Sequence, residues 1–175
     1  MTARLRLYAA MSLDGYLADA DGGIGWLAPF DAQDYGMQGF LAGIGAILTG
    51  RATYDQVRSF DSWPYAGKRV VVLTHRPLDA DAPVGVEAAS GALDDLVARL
   101  KAETAAGDIW LLGGAAVVQA ALTQGLVDTL ELFVIPVTLG SGIRLFGSEG
   151  PGAAWALTAA RPFPNGVVEL DYRRP

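Results

Sequence analysis

Three places in the chain carry glycines, hydroxyl groups or cations directly after an apolar run. The first is Gly50-Arg51-Ala52-Thr53, the second is Thr74-His75-Arg76, and the third is Gly113-Gly114-Ala115-Ala116, followed by Val117. Glycine lets a backbone approach a ligand closely, and a helix start behind it offers free N–H groups and a partial positive charge. Guanidinium and hydroxyl groups are further donors to phosphate oxygens. These residue types predict a site for a phosphorylated ligand.

Buried strands that run into helices are the elements expected to position these groups. Asp108 to Leu122, DIWLLGGAAVVQAAL, begins with the wholly apolar run that a sheet covered on both faces requires, and it continues with good helix formers. The same order of strand, glycine and helix recurs over residues 46–54, and a third strand, Arg69 to Leu73, leads to Thr74. Because ligands of an open α/β sheet lie across the carboxyl ends of its strands, we expect the three clusters to converge on one rim.

The rest of the chain continues this alternation and closes with an antiparallel pair. Tyr16 to Leu27, YLADADGGIGWL, has too many glycines and aspartates for a regular element, so it is expected to form a loop that covers a pocket. Pro29 to Leu41 predicts a helix capped by Asp31. Asn165-Gly166 between two strand-like runs predicts a hairpin. Further strands are expected at 4–11, 84–89, 130–137, 155–163 and 167–172, and a further helix after a cap at Ser90.

Composition excludes several classes of protein. The 175 residues are 51% hydrophobic, which is enough for one domain with a core. The net charge of -6 disfavours nonspecific binding to nucleic acid or anionic membranes. With no cysteine and one histidine, no disulfide, thiolate nucleophile or metal site is expected. The N-terminus lacks a signal-peptide core and no run is long enough to span a membrane, so we expect a single cytoplasmic domain over residues 1–175.

Five motifs together resemble those of a known family. SLDGYLADADGGIGWL, AILTGRATY, VVVLTHRP, IWLLGGAAVVQAAL and LFVIPVTLGSGIRLF occur in the order and at the spacing of the dihydrofolate reductase-like superfamily, over about residues 4 to 172. SLDG and LGSGIRLF are most similar to the branch that contains the reductase domain of the bifunctional riboflavin-biosynthesis enzyme and many small stand-alone reductases. The resemblance implies a three-layer α/β fold: a mainly parallel eight-stranded sheet, helices on both faces and a C-terminal antiparallel hairpin. It also implies a homodimer and an NADPH-dependent reductase.

Carried over position by position, the resemblance implies contacts along the whole of NADPH. The pyrophosphate and 2′-phosphate region would meet Gly50 to Thr53, the adenosine end would meet Thr74 to Arg76, and the second helix start at Gly113 to Val117 would meet the pyrophosphate. A 2′-phosphate gives the cations of these clusters more negative charge to meet, so NADPH is expected over NADH. The residues expected to contact nicotinamide and ribose are Ala10, Tyr16, Leu17 and Trp26.

The resemblance leaves the substrate side open. Folate reductases carry a carboxylate on the helix after the lid loop, and here Asp34 lies near that position, although alignment on Phe40 puts Gly36 there instead. The position of the Thr that supports the carboxylate is taken by Phe133, and loss of that hydroxyl weakens the folate interpretation. Asp14, in Ser-Leu-Asp-Gly, is a second candidate: it is either a turn residue that satisfies backbone N–H groups or a proton relay.

Two further positions differ from those of the relatives. Lys68 lies roughly where folate enzymes keep an Arg for the glutamate tail, and lysine offers charge without the bidentate fork. Leu112 replaces the Glu that the riboflavin branch places before its glycine pair to meet a ribosyl substrate. We therefore expect hydride transfer from NADPH to a C=N or C=O bond of a small heterocycle, pterin-like or pyrimidine-like. The alternatives are a true dihydrofolate reductase and a non-catalytic NADP-binding module.

Overall fold

The computed structural model describes residues 2–147 and 152–175. Ten strands and four α-helices alternate along this part of the chain. The strands are β1 (Leu5–Ser12), β2 (Tyr16–Ala18), β3 (Ile44–Gly50), β4 (Arg69–Leu73), β5 (Val86–Ala89), β6 (Asp108–Gly113), β7 (Thr129–Ile135), β8 (Ile143–Arg144), β9 (Ala156–Pro162) and β10 (Val168–Arg173). The helices are α1 (Met37–Ala42), α2 (Arg51–Arg58), α3 (Leu93–Glu103) and α4 (Ala115–Thr123), with a 3₁₀ helix at Gly25–Phe30.

Eight of the strands form one sheet in the order β5-β4-β3-β6-β1-β7-β10-β9. The strands from β5 to β7 are mutually parallel, whereas β10 runs antiparallel to both β7 and β9. The first strand lies inside the sheet, where Leu5 pairs with Ile109 of β6 and Leu7 with Leu130 of β7. The expected eight-stranded, mainly parallel sheet with a C-terminal antiparallel hairpin is confirmed.

The sheet separates two cores of different character. On one face, Leu100 of α3 and Val118 of α4 pack with leucines and valines of the strands. On the other face, Phe40 of α1 and Tyr54 of α2 join a cluster rich in aromatic rings. Since apolar strands buried on both faces need cover on both sides, helices lie on each face as the sequence predicts.

The helix predicted over residues 29–41 is wrong. Pro29 belongs to the 3₁₀ helix, and α1 begins only at Met37, after Gly36 with φ of +80°. Asp31 therefore follows a short helix instead of capping a long one. A left-handed backbone interrupts a right-handed helix, so residues 31–36 form an open segment beside the sheet.

The structure differs from the sequence prediction at two smaller points. The loop at Tyr16 to Leu27 contains β2, which pairs with β8 in a separate two-stranded sheet. The residue before α3 is Ala92, which makes no side-chain cap bond, so Ser90 is not the cap. Within the described residues, no helix is long and apolar enough to cross a membrane.

Candidate functional site

A cavity of about 910 Å³ opens at the carboxyl ends of the central strands. Its wall includes Ala10 of β1, Leu112 of β6 and Phe133 of β7. The loop after β2 covers it through side chains that include Ile24 and Leu27. This is the rim at which open α/β sheets bind ligands, and the covering loop lies where the sequence predicts it.

The starts of α2 and α4 meet at one end of the cavity. A β-carbon added to Gly50, just before α2, would lie 3.0 Å from Cγ2 of Val117. A β-carbon on Gly113 or Gly114 would lie 3.4 or 3.3 Å from Oγ1 of Thr53. The lack of a side chain at Gly50 therefore lets the two helix starts pack closely, while Gly113 and Gly114 keep side chains away from the Thr53 hydroxyl on the cavity wall.

The predicted cofactor residues divide into a lining set and a supporting set. Gly50 is buried and packs against the α4 start, as its distance to Val117 shows. Ala116 is exposed and is not part of the cavity wall. The predicted residues that line the cavity are Ala10, Leu17, Ala52, Thr53, Gly113, Gly114 and Ala115.

Tyr16 and Trp26 support the covering loop from outside the cavity wall. The Tyr16 hydroxyl accepts a hydrogen bond from Arg144 at 3.2 Å, and the guanidinium of Arg144 lies 4.8 Å from the Tyr16 ring centre. Trp26 packs against the aromatic core, and its Nε1 is buried without a hydrogen-bond partner in the described structure. Both residues act on the cavity through packing.

Arg51 is held in place at the start of α2. Its Nε donates to Asp55 at 2.7 Å, and one terminal nitrogen donates to the carbonyl of Pro77 at 2.9 Å. Only 16% of its side chain is exposed. The guanidinium is therefore ordered beside the glycine turns without lining the cavity itself.

The Thr74-His75-Arg76 cluster also reaches the carboxylate of Asp55. The hydroxyl of Thr74 accepts the backbone N–H of Arg76 at 3.1 Å and forms a tight turn after β4. Arg76 then lies 3.7 Å from Asp55, while His75 is exposed. Asp55 thus brings the cations of two predicted clusters, Arg51 and Arg76, into one group.

Asp14 joins two loops. Its carboxylate accepts the hydroxyl of Ser12 at 2.6 Å and the backbone N–H groups of Leu139 at 3.1 Å and Gly140 at 2.7 Å. The Ser12 hydroxyl, with these N–H groups, lowers the pKa of Asp14 to about 2. Asp14 is not part of the cavity wall, so its geometry favours the turn role over a proton relay.

Aromatic rings form the β1 and β7 side of the cavity. The Tyr8 ring stacks on Phe40 with centres 4.1 Å apart, and its centre is 4.8 Å from that of Phe133. Burial raises the pKa of the Tyr8 hydroxyl, which stays neutral at ordinary pH. The Tyr35 ring meets Phe133 at 5.5 Å, with its hydroxyl held by Asn165. This side therefore presents flat apolar surfaces.

The segment between the 3₁₀ helix and α1 contributes acidic groups to the cavity. Asp34 lines it together with Asp31, and Gly36 does not. One oxygen of Asp34 accepts the backbone N–H of Gly36 at 2.8 Å, and Gln33 donates to its carbonyl at 3.0 Å. Of the two positions left open by the sequence, Asp34 lies on the cavity wall and Gly36 does not.

The family model of the RibD C-terminal domain matches residues 3–169. The chain belongs to the RibD C-terminal domain family. Protein YwjB of Bacillus subtilis (strain 168) is 36% identical to it over an alignment of 176 positions that covers 99% of each chain. The crystal structure of a Shewanella sp. PV-4 protein described as a riboflavin biosynthesis protein has a TM-score of 0.87 at 28% identity, and the match covers 100% of this chain and 99% of that one.

A more distant neighbour shares the fold alone. The dihydrofolate reductase of Enterococcus faecalis, complexed with NADP(H) and RAB-propyl, has a TM-score of 0.72 at 18% identity and covers 99% of either chain. Together with the RibD C-terminal match, it confirms the superfamily and the branch that the sequence motifs predict.

Several cavity residues of this RibD C-terminal domain were missed by the sequence analysis. Tyr8 lies two residues before Ala10 on β1, and Gln56 lies one helical turn after Thr53. The periods of strand and helix place each pair on one face, so periodicity could have found them. Tyr65 and Trp110 are brought in by tertiary packing, for which no local pattern exists.

The site of this RibD C-terminal domain fits a dinucleotide. Gly113, Gly114 and Thr53 line the cavity where the starts of α2 and α4 meet, as expected where a pyrophosphate lies against helix N-termini. Arg51 and Arg76 stand beside that space and could meet a further phosphate. Across the described ranges, no cluster of three or more His, Asp or Glu is arranged to hold a metal ion.

Proposed function

We propose that the protein is an NADPH-dependent reductase that transfers hydride to a C=N or C=O bond of a small heterocyclic substrate. The observation that carries the proposal is the meeting of two glycine-lined helix starts at one end of a cavity whose other side is aromatic. Membership of the RibD C-terminal family supports a reductase, and the fold shared with an NADP(H)-bound dihydrofolate reductase supports this cofactor.

The chain's own residues would bind the cofactor, orient the reacting groups and exclude water from the site. When bound, the cofactor supplies the hydride, so the protein needs no nucleophile. Gly114, Ala115 and Thr53 line the end suited to its pyrophosphate, and Ala10 leaves room for a ring next to β1. The covering loop at Leu17 to Leu27 would exclude water from the reacting groups.

Asp34 is the proposed substrate-orienting acid. Its position on the cavity wall supports this role, and its second oxygen is not used in the bond to Gly36. Neutralising it by Asp34→Asn is expected to lower kcat/KM by about tenfold to a hundredfold while NADPH binding is unchanged. An equal loss of NADPH affinity would assign Asp34 to the cofactor instead.

The decisive experiment is a titration of NADPH fluorescence followed by a screen of NADPH oxidation against pterins, ribosylaminopyrimidines and simple carbonyl compounds. Binding with turnover of a heterocycle supports the proposal. Turnover of dihydrofolate at an ordinary rate would establish a true dihydrofolate reductase. We do not expect this result, because Phe133 occupies the position of the supporting hydroxyl group. Tight binding without turnover of any class would indicate a non-catalytic NADP-binding module.

We also propose a cytoplasmic homodimer. The edge strand β9 supports it, since its other edge is unpaired within the described sheet and Leu157 is 56% exposed there. Sedimentation is expected to show a species of twice 18.3 kDa. A monomer at every concentration tested would contradict the dimer and leave the reductase proposal intact.

A further inference from the structure

The substrate half of the cavity has aromatic walls. Tyr8 and Phe133 face it from neighbouring strands, with Tyr35 beside them. The Tyr35 hydroxyl is already used, since it donates to the carbonyl of Phe30 at 3.0 Å and accepts from Asn165 at 2.7 Å. The ring of Tyr35, and not its polar tip, is therefore the surface that a ligand meets, and flat apolar ligands suit such surfaces.

The charges on the cavity wall are of one sign. Asp21, Asp31 and Asp34 line the cavity, whereas none of the described lining residues is a Lys, Arg or His. All three aspartates are exposed, so a phosphate or carboxylate on a substrate would meet like charges at the solvent-facing wall and no cationic side chain among the described lining residues, which disfavours its binding.

Three described cations on the aromatic side of the sheet, Lys68, Arg6 and Arg161, already have partners. Lys68 donates to the carbonyl oxygens of Leu41 and Ile44, at 2.8 Å and 2.7 Å, and does not line this cavity. Arg6 makes two bonds to Glu131, at 2.8 Å and 2.7 Å. Arg161 pairs with the buried carboxylate of Glu169. The cation that could have held a glutamate tail instead supports the C-terminal end of α1.

We propose that the substrate is a planar heterocycle that carries no phosphate or carboxylate group, an inference that rests on the proposed reductase function. The site therefore discriminates against the phosphorylated ribosylaminopyrimidines and the glutamate-tailed pterins that related sites would take. Discrimination arises from the acidic wall together with the absence of a free cation among the described lining residues, and the aromatic walls supply the affinity.

Two pairs of compounds test this substrate class. The first pair is a ribosylaminopyrimidine with and without its 5′-phosphate, and the second is dihydrofolate and a dihydropterin with a short neutral substituent. Binding to protein saturated with NADP⁺ is measured by calorimetry, and kcat/KM is measured by NADPH oxidation. The neutral member of each pair is expected to bind at least about tenfold more tightly. Equal or tighter binding of the anionic members would overturn the inference.

Charge variants separate the acidic wall from simple size exclusion. In an Asp31→Asn/Asp34→Asn double variant, the preference for the ribosylaminopyrimidine without the 5′-phosphate is expected to fall by several-fold. This preference is the ratio of the association constants of the neutral and the phosphorylated compound. An Asp61→Asn/Asp79→Asn double variant is the matched control, because both residues are exposed and neither lines the cavity. An unchanged ratio in the first variant, or failure of all four compounds to bind while NADPH still binds, would contradict the substrate class. If the wild-type protein does not bind NADPH, the proposed function itself is contradicted.

Discussion

The two halves of the cavity are built by different means. The proposed cofactor half is shaped by backbone: Gly50, Gly113 and Gly114 leave out side chains where two helices begin. The substrate half is shaped by side-chain volume, with Tyr8 and Phe133 in contact on adjacent strands. The half that depends on missing side chains should not tolerate larger residues. The half that depends on large rings should not tolerate smaller ones. Opposite kinds of substitution should therefore break the two halves independently.

The largest effect is expected in the substrate half. Phe133→Ala removes a buried ring and should lower the free energy of unfolding by about 3–5 kcal/mol, measured by urea denaturation. Phe133→Leu keeps most of the volume and should cost less. In this milder variant, substrate kcat/KM should fall while the NADPH dissociation constant stays within about twofold. Parallel losses of both would mean that the two halves are not independent.

The cofactor half should fail on addition of a side chain. Gly114→Val places atoms in the space beside Thr53, so NADPH affinity should fall by about a hundredfold, which is about 2.7 kcal/mol. Gly114 has φ of −30° and ψ of 157°, outside the β region that branched side chains favour, so urea unfolding of the variant is measured beside its NADPH affinity. Gly39→Val is the control, since a β-carbon at Gly39 meets nothing within 4 Å. Unaltered NADPH binding in Gly114→Val would place the pyrophosphate elsewhere.

Removal of one positive charge tests how the cofactor half selects NADPH over NADH. Arg51→Ala is expected to weaken NADPH by about tenfold and NADH far less, because only NADPH carries the extra phosphate. Arg58→Ala, on the same helix but paired with Asp81, serves as the control and should affect neither cofactor. Dissociation constants from fluorescence titration give the comparison. Equal losses for NADPH and NADH would show that Arg51 does not face the 2′-phosphate.

The smallest effect concerns Asp14, which supports both halves through the loops that it joins. Its folded pKa of about 2 lies below the ordinary value of about 3.9, so its stabilisation is complete above pH ~4 and is lost as pH falls toward 2. Asp14→Asn should therefore be less stable than wild type at neutral pH. The difference should shrink between pH ~4 and ~2, as followed by urea unfolding at each pH. A difference that does not depend on pH would assign the loss to packing.

Sequence patterns predicted most of the sheet and the glycine turns at the starts of α2 and α4 because both depend on local signals. An apolar run followed by glycine and a helix start can be recognised within fifteen residues, as at Asp108 to Leu122. The segment at 31–36 could not be predicted, since periodicity does not reveal the left-handed backbone that Gly36 takes just before α1 begins. Nor could the pairing of Lys68, because its partners are carbonyl groups of Leu41 and Ile44 that only the tertiary fold brings near.

The position of β1 in the middle of the sheet has a consequence for how the protein is made. Leu5 leaves the ribosome about a hundred residues before its partner Ile109, and β7 follows later still. At about 5–20 residues per second, an apolar strand waits roughly 5–20 s for either neighbour. Nascent chains of this protein should therefore be held by chaperones during that interval, and arrest of translation before β7 should yield an aggregation-prone product.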